Sequence, residues 1–122
     1  MINAELHRAV GVLVMEPSDT LESVDFERLH LLADPYIAEH GKLNGLLIYA
    51  DAFPGWDSFS ALLSHIKFVV DRHVQIRRVA VVADARFQSL LPNVIDLLVD
   101  SEVLHFGFER RQEAMAWLSE SN

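Results

Sequence analysis

Residues 46–58 read Leu46-Leu47-Ile48-Tyr49-Ala50-Asp51-Ala52-Phe53-Pro54-Gly55-Trp56-Asp57-Ser58. The run up to Ala50, with Leu43 shortly before it, is too continuously apolar for a half-exposed strand and suits one covered on both faces of a sheet. Pro54 and Gly55 then break the chain into a turn, and Asp57 stands where the next helix needs an N-cap. A buried strand feeding a turn that opens a helix is the repeating unit of α/β domains, and ligands bind at such strand ends. This turn carries two large apolar side chains, Phe53 and Trp56, where binding loops usually carry glycines and polar groups.

Toward the N-terminus, Val10-Gly11-Val12-Leu13-Val14-Met15 is a short β-branched run stopped by Pro17. It is expected to pair with a strand at Ala4 to Arg8 as an opening hairpin. From Ser23 the apolar spacing becomes helical, with Phe26, Leu29, Ala33, Tyr36 and Ile37 on one face and Gly41 in the place of a left-handed C-cap. Pro35 lies inside this helix and removes the bond to Leu31, which predicts a kink or an irregular turn. Toward the C-terminus, Arg77 to Ala83 is a third apolar run and Val103 to Phe108 a weaker fourth, each followed by a helical pattern. Asp84 and Gly107 are candidate caps of those helices. Strands and helices alternating at this spacing predict an α/β fold with a largely parallel sheet, the hairpin adding an antiparallel edge.

A length of 122 residues suits a single domain with its own core. The hydrophobic share of 51% is high for so small a chain and leaves apolar surface over. A net charge of −8 opposes nucleic acid and anionic bilayers as partners. The absence of cysteine excludes disulfides, thiolate metal sites and a cysteine nucleophile, and fits a reducing cytoplasm. Neither a secretory signal nor an apolar stretch of about 18 residues is visible. Lys67, Arg72, Arg77, Arg78 and Arg86 lie close together with His65 and His73; a solvated helix end and loop explains them better than an anion site.

Two helical stretches carry more apolar surface than one layer requires. From Asp57 to Asp71, Phe59, Leu62, Leu63, Ile66, Val69 and Val70 form the sheet-facing stripe, and Phe68 projects from the opposite side. From Arg86 to Val99, Ser89, Asn93, Asp96 and Asp100 form a narrow polar stripe, while Phe87, Leu90, Leu91, Val94, Ile95, Leu97, Leu98 and Val99 fill the rest. Three readings of that wide arc stay open: packing on another helix, an apolar ligand pocket between the helices, and an oligomer contact.

Catalytic and metal chemistry finds little support. The six histidines include no pair at the spacing of a helical zinc site, and the isolated glycines form no phosphate loop. Ser58 lacks the flanking glycines of a nucleophile elbow. Asp51 and Asp57 bracket the aromatic turn but are better explained as strand-end and helix-cap residues than as an acid/base pair. The expectation is a protein without cofactor or metal, and not an enzyme.

Three blocks together resemble the SpoIIAA-like family: Ala38-Glu39-His40-Gly41-Lys42 before the strand Leu46 to Tyr49, then Phe53-Pro54-Gly55-Trp56, then Arg78-Val79-Ala80-Val81-Val82-Ala83-Asp84. Ala114-Met115-Ala116-Trp117-Leu118 near the end fits as well. The resemblance spans nearly the whole chain and implies the fold of sulphate-transporter and anti-sigma-factor-antagonist (STAS) domains. That fold has about five strands in a mixed, mostly parallel sheet with four helices, here one domain over residues 1–122.

In phospho-regulated members of the wider fold, an Asp-Ser pair followed by a small residue and Gly opens the helix after the equivalent strand. Asp57-Ser58 matches the pair, which makes Ser58 a candidate phosphoacceptor and a protein-interaction switch the alternative function. A phosphate there would sit at a helix N-terminus, a favourable place for an anion. Phe59 and Ser60 replace the small residue and Gly, a departure that makes the turn bulkier.

The resemblance also implies apolar small-molecule or lipid binding, which agrees with the apolar excess read from the residues themselves. The leading expectation is a non-enzymatic domain holding an apolar or amphipathic ligand between the two apolar helices. Phe53, Trp56, Phe59, Leu63, Phe68, Phe87, Leu90, Leu91 and Val94 are the candidate lining or gating residues. The expected setting is cytoplasmic with peripheral membrane contact driven by apolar insertion, and the apolar helix edge allows a homodimer.

Overall fold

The apolar runs become strands of one sheet. The computed structural model describes residues 2–17, 22–50, 61–64, 75–98 and 100–120. Its strands are β1 (Ile2–His7), β2 (Val12–Pro17), β3 (Lys42–Tyr49), β4 (Gln75–Val82) and β5 (Glu102–Phe106). The helices are α1 (Ser23–His40), α2 (helical over the described residues 61–64), α3 (Leu91–Leu97) and α4 (Arg111–Ser119). Short 3-10 segments, Ala85–Leu90 and Phe108–Arg110, lead into α3 and α4. Spatial order follows chain order, β1-β2-β3-β4-β5, with β1 antiparallel to β2 and the other pairs parallel. This is the mixed, mostly parallel α/β sheet that the alternation of runs predicts.

Side chains alternate across a strand, so each central strand feeds two cores. On one face Leu13, Met15, Leu46, Ile48, Val79 and Val81 meet Leu29 and Ala33 of α1, Leu62 and Leu63 of α2, and Phe87, Val94 and Leu98. On the other face Val12, Val14, Leu47, Ala80 and Val82 meet Ala114 and Leu118 of α4. Crossovers of one hand between neighbouring parallel strands put the connecting helices on the same side. That leaves α4, among the described residues, to cover the second face.

The sheet and α4 are brought close by a glycine. At Gly45 a Cβ would lie 2.9 Å from both Cβ and Cδ2 of Leu118, so only hydrogen fits beneath the helix. Gly41 ends α1 at φ 77° and donates its N–H to the carbonyl of Ile37, which is the left-handed cap the sequence predicts.

The stretch from Arg86 to Leu98 is not one α-helix. Pro92 has no N–H to give Gln88, so the chain first forms the 3-10 segment and starts α3 at Leu91, with Pro92 in the first turn where a missing donor costs nothing. A 3-10 turn advances about 120° per residue instead of 100°, so a single helical projection misplaces the side chains. Phe87, Val94 and Leu98 are buried, Leu90 and Leu91 are half-buried, and Ile95 remains exposed. α1 continues through Pro35 to His40, with no irregular turn at the proline.

Candidate functional site

Helix α1 packs on the sheet through Leu29, Ala33 and Tyr36, with Phe26 and Ile37 half-buried at the margins of that stripe. A second stripe runs beside it at the same helical spacing, through Glu27, Leu31, Asp34 and Ala38. Here Leu31 is 77% exposed, a large apolar side chain facing outward from a helix that already has its buried face. Leu31, Phe26, His30, Pro35 and Ala38, together with Glu27 and Asp34, line an open groove of about 880 Å³. That volume lies within the range of small-molecule sites, roughly 300–1,000 Å³.

Among the described residues the groove wall is mainly carbon, with His30, Glu27 and Asp34 as its polar side chains. His30 Nδ1 lies 3.4 Å from Asp34 Oδ1, one turn further along the helix, with the Asp34 side chain 60% exposed. Pro35 cannot donate to the carbonyl of Leu31, so that oxygen lacks the usual partner four residues on. Asp34 and Glu27 add two exposed carboxylates.

A second cluster sits at the carboxyl end of the parallel strands. Tyr49 and Phe108 meet with ring centroids 5.4 Å apart, and Arg111 lies 4.6 Å over the Tyr49 ring while pairing with Glu16 at 2.8 Å. Arg110 lies 5.1 Å over Phe106 and pairs with Glu113 at 2.9 Å. Asp84 caps the first 3-10 segment by accepting from the Arg86 backbone N–H at 2.9 Å and binds the Arg86 guanidinium at 2.7 Å. The Arg86 guanidinium holds the Asp84 carboxyl below the usual carboxylate range, and the same pair raises Arg86. His105 places Nε2 2.9 Å from the carbonyl of Ala83 and Nδ1 2.9 Å from Gln88 Oε1. These charges are engaged with one another and build struts between strand ends and helix starts.

Of the residues expected to line a pocket between α2 and the segment after β4, Leu63, Phe87 and Val94 are fully buried in the larger core, and Leu90 and Leu91 are half-buried. The structure brings Leu63, Phe87 and Val94 together as core packing. Phe53, Trp56, Ser58, Phe59 and Phe68 lie outside the described residues, as do Asp51, Asp57, Lys67 and Arg72. Of the clustered bases, Arg78 donates to the carbonyl of Trp117 at 2.7 Å and to Glu120 at 2.9 Å, and Arg77 donates to the carbonyl of Glu120. Both arginines fasten the end of α4 to β4. Among the described residues no three His, Asp or Glu side chains converge as metal ligands, and no helix is long and apolar enough to cross a membrane.

Leu31 and Pro35 were not among the candidates read from the sequence. The available signal was a leucine off the apolar stripe of its helix, placed four residues before a proline.

No curated protein and no solved structure matches the chain. The SpoIIAA-like family profile matches residues 12–119, a span holding β2 to β5 and α1 to α4. With its parallel strands and its helices inside that span, the chain belongs to the SpoIIAA-like family.

Proposed function

We propose that the protein is a non-enzymatic binding domain for an apolar or amphipathic small molecule or lipid, received in the groove along α1. The observation that carries this reading is the exposure of Leu31 at 77% in a largely carbon-lined groove of about 880 Å³. Covering a leucine side chain stabilises a complex by roughly 1.5–3 kcal/mol, so an apolar chain laid along Phe26, Leu31 and Ala38 gains useful affinity without special chemistry. The locus differs from the pocket expected between α2 and the segment after β4, because Leu63, Phe87 and Val94 are spent on the core. The same exposed stripe supports peripheral contact with a bilayer surface, driven by insertion of Leu31 and not by charge.

The test is titration with a neutral environment-sensitive dye, N-phenyl-1-naphthylamine, on wild type, Leu31→Ser and, as a control at another exposed leucine, Leu104→Ser. Both positions are exposed, so neither change disturbs the core. Saturable, blue-shifted emission that weakens roughly tenfold in Leu31→Ser and is unchanged in Leu104→Ser is expected, a factor equal to about 1.4 kcal/mol. Equal binding by the two variants, or no saturable binding by wild type, would refute the reading.

A further inference from the structure

Strand β5 ends the sheet, and among the described residues no strand pairs with its outer side. It reads Glu102-Val103-Leu104-His105-Phe106, without the lysine or proline that commonly deters edge pairing. Leu104, its middle residue, is 43% exposed on the sheet face that also carries Glu102 and Phe106. The other edge, β1, differs: near its centre stands Glu5, a charge whose side chain is 76% exposed. We infer that β5 pairs antiparallel with β5 of a second copy of this chain, about a two-fold axis at Leu104, so that two five-stranded sheets become one.

Backbone direction limits the register. The carbonyl of Phe106 accepts from the N–H of Ala83 at 3.1 Å, so it points toward β4. In a strand the N–H and C=O of one residue point to the same side, and the sides alternate along the chain. Leu104 and Glu102 therefore also turn their backbone groups to β4, and Val103 and His105 turn theirs outward. With the axis at Leu104, Val103 of one copy stands opposite His105 of the other, and each such pair exchanges both of its N–H···O=C bonds. An axis between two residues would instead set outward groups against groups already used by β4. Leu104 then meets Leu104 of the second copy as a non-hydrogen-bonded pair, the closer of the two kinds, with Cα atoms about 4.5 Å apart. This axis also overlaps β5 along its whole length, since Leu104 is its midpoint.

The charges on that face agree with the same register. Glu102 of one copy falls opposite Phe106 of the other, and Arg110 lies 5.1 Å over the Phe106 ring. The Glu102 side chain is 68% exposed and stands 3.7 Å from Arg78 Nε, an atom without a hydrogen bond. Arg110 is 49% exposed beside Glu113, so its outer side is open to a second carboxylate. The two-fold makes the Glu102–Arg110 contact twice, which is the self-complementarity that a symmetric dimer requires. Two five-residue edges bury less than a standard interface and each chain carries a charge of −8, so the dimer is weak and concentration-dependent.

Sedimentation velocity of the full chain, taken up to millimolar concentration, should show a monomer–dimer equilibrium. Leu104→Lys, which sets like charges across the axis, should weaken it by roughly tenfold or more. Because the chain has no cysteine, Leu104→Cys supplies a single thiol, and Cα atoms about 4.5 Å apart suit a disulfide. Mild oxidation should therefore cross-link Leu104→Cys faster than Leu31→Cys, at the other exposed leucine. Glu102→Arg and Arg110→Glu should each remain monomeric alone and associate when mixed, since the mixed dimer restores both opposite-charge contacts. All three altered β5 and Arg110 positions are exposed, and circular dichroism checks that each variant is folded. A wild type monomeric throughout, or a dimer unmoved by Leu104→Lys, would overturn the pairing. Mixed variants that associate no better than either alone, or equal cross-linking at Leu31 and Leu104, would overturn the register.

Discussion

The side-chain amide of Asn44 donates to the carbonyl oxygen of Leu118 at 2.9 Å, and to the carbonyl of Val10 at 3.1 Å. One side chain on β3 thereby joins the last turn of α4 to the end of the opening hairpin, across 74 and 34 positions of sequence. Replacing Asn44 by Ala leaves two part-buried carbonyls without their donor and should lower stability by about 1–3 kcal/mol. Asn44→Asp should cost more, since a carboxylate presents only acceptors to two acceptors. Urea unfolding checks both: the midpoint should fall while the slope is unchanged.

Next to it, Gly45→Ala should destabilise by overpacking, on the order of 1–3 kcal/mol, because the added carbon would come within 2.9 Å of Leu118. The cost should be smaller in a Leu118→Ala background, where Cδ2 is gone. A double-mutant cycle giving coupling of at least roughly 0.5 kcal/mol is expected; strict additivity would argue against the close approach.

Phe87 separates a core from a ligand wall. It is fully buried and its ring meets His105 with centroids 5.3 Å apart. As a core residue, Phe87→Ala should lose about 3–5 kcal/mol of stability. The affinity of the folded variant for the neutral dye should stay at the wild-type value. A stable Phe87→Ala protein with weakened dye binding would return the site to the segment after β4.

Two aspartates predict the acid limb of stability. The backbone N–H of Glu22, 2.9 Å from Asp25 Oδ2, lowers the Asp25 carboxyl from its ordinary 3.8, and Arg86 does the same for Asp84. Folded values below the unfolded ones mean that each carboxylate contributes stability above the ordinary aspartate range and loses it as pH falls through the lowered folded value. The unfolding free energy should therefore decline on acidification below about pH 4. In Asp25→Asn with Asp84→Asn that decline should be shallower, measured by urea unfolding at a series of pH values; an unchanged slope would exclude both groups as its source.

Pro35 sits inside α1 at an exposed position. Pro35→Ala restores a donor for the carbonyl of Leu31 and removes a residue that costs about 3 kcal/mol in a helix interior, so the thermal midpoint should rise. A fall would show that the helix depends on the proline ring for packing.

Much of the fold could be read from side-chain period alone. Leu46 to Ala50 and Val79 to Ala83 are continuous apolar runs because their strands, β3 and β4, are covered on both faces, with Leu46 and Leu47, or Val79 and Ala80, entering different cores. Gly41 announced its cap because few other residues accept φ 77°. After β4 a single helical period misleads, because Pro92 changes the helix type and with it the angular step between side chains. The groove escaped notice for a different cause. Periodicity finds the stripe that a helix buries, and Leu31 becomes conspicuous only when its neighbours are known to be satisfied elsewhere. The aromatic turn at Phe53 and Trp56 falls outside the described residues.

The two sheet faces also impose an order on synthesis. Because spatial order follows chain order, each strand from β2 to β5 can dock on one already emerged from the ribosome, and its crossover helix covers the first face as it comes. Among the described residues the second face has no such running cover: Val12, Val14, Leu47, Ala80 and Val82 wait for Ala114 and Leu118. A nascent chain stalled before α4 would present a nearly complete sheet with one greasy side, which makes the arrival of α4 the point at which a chaperone could let go.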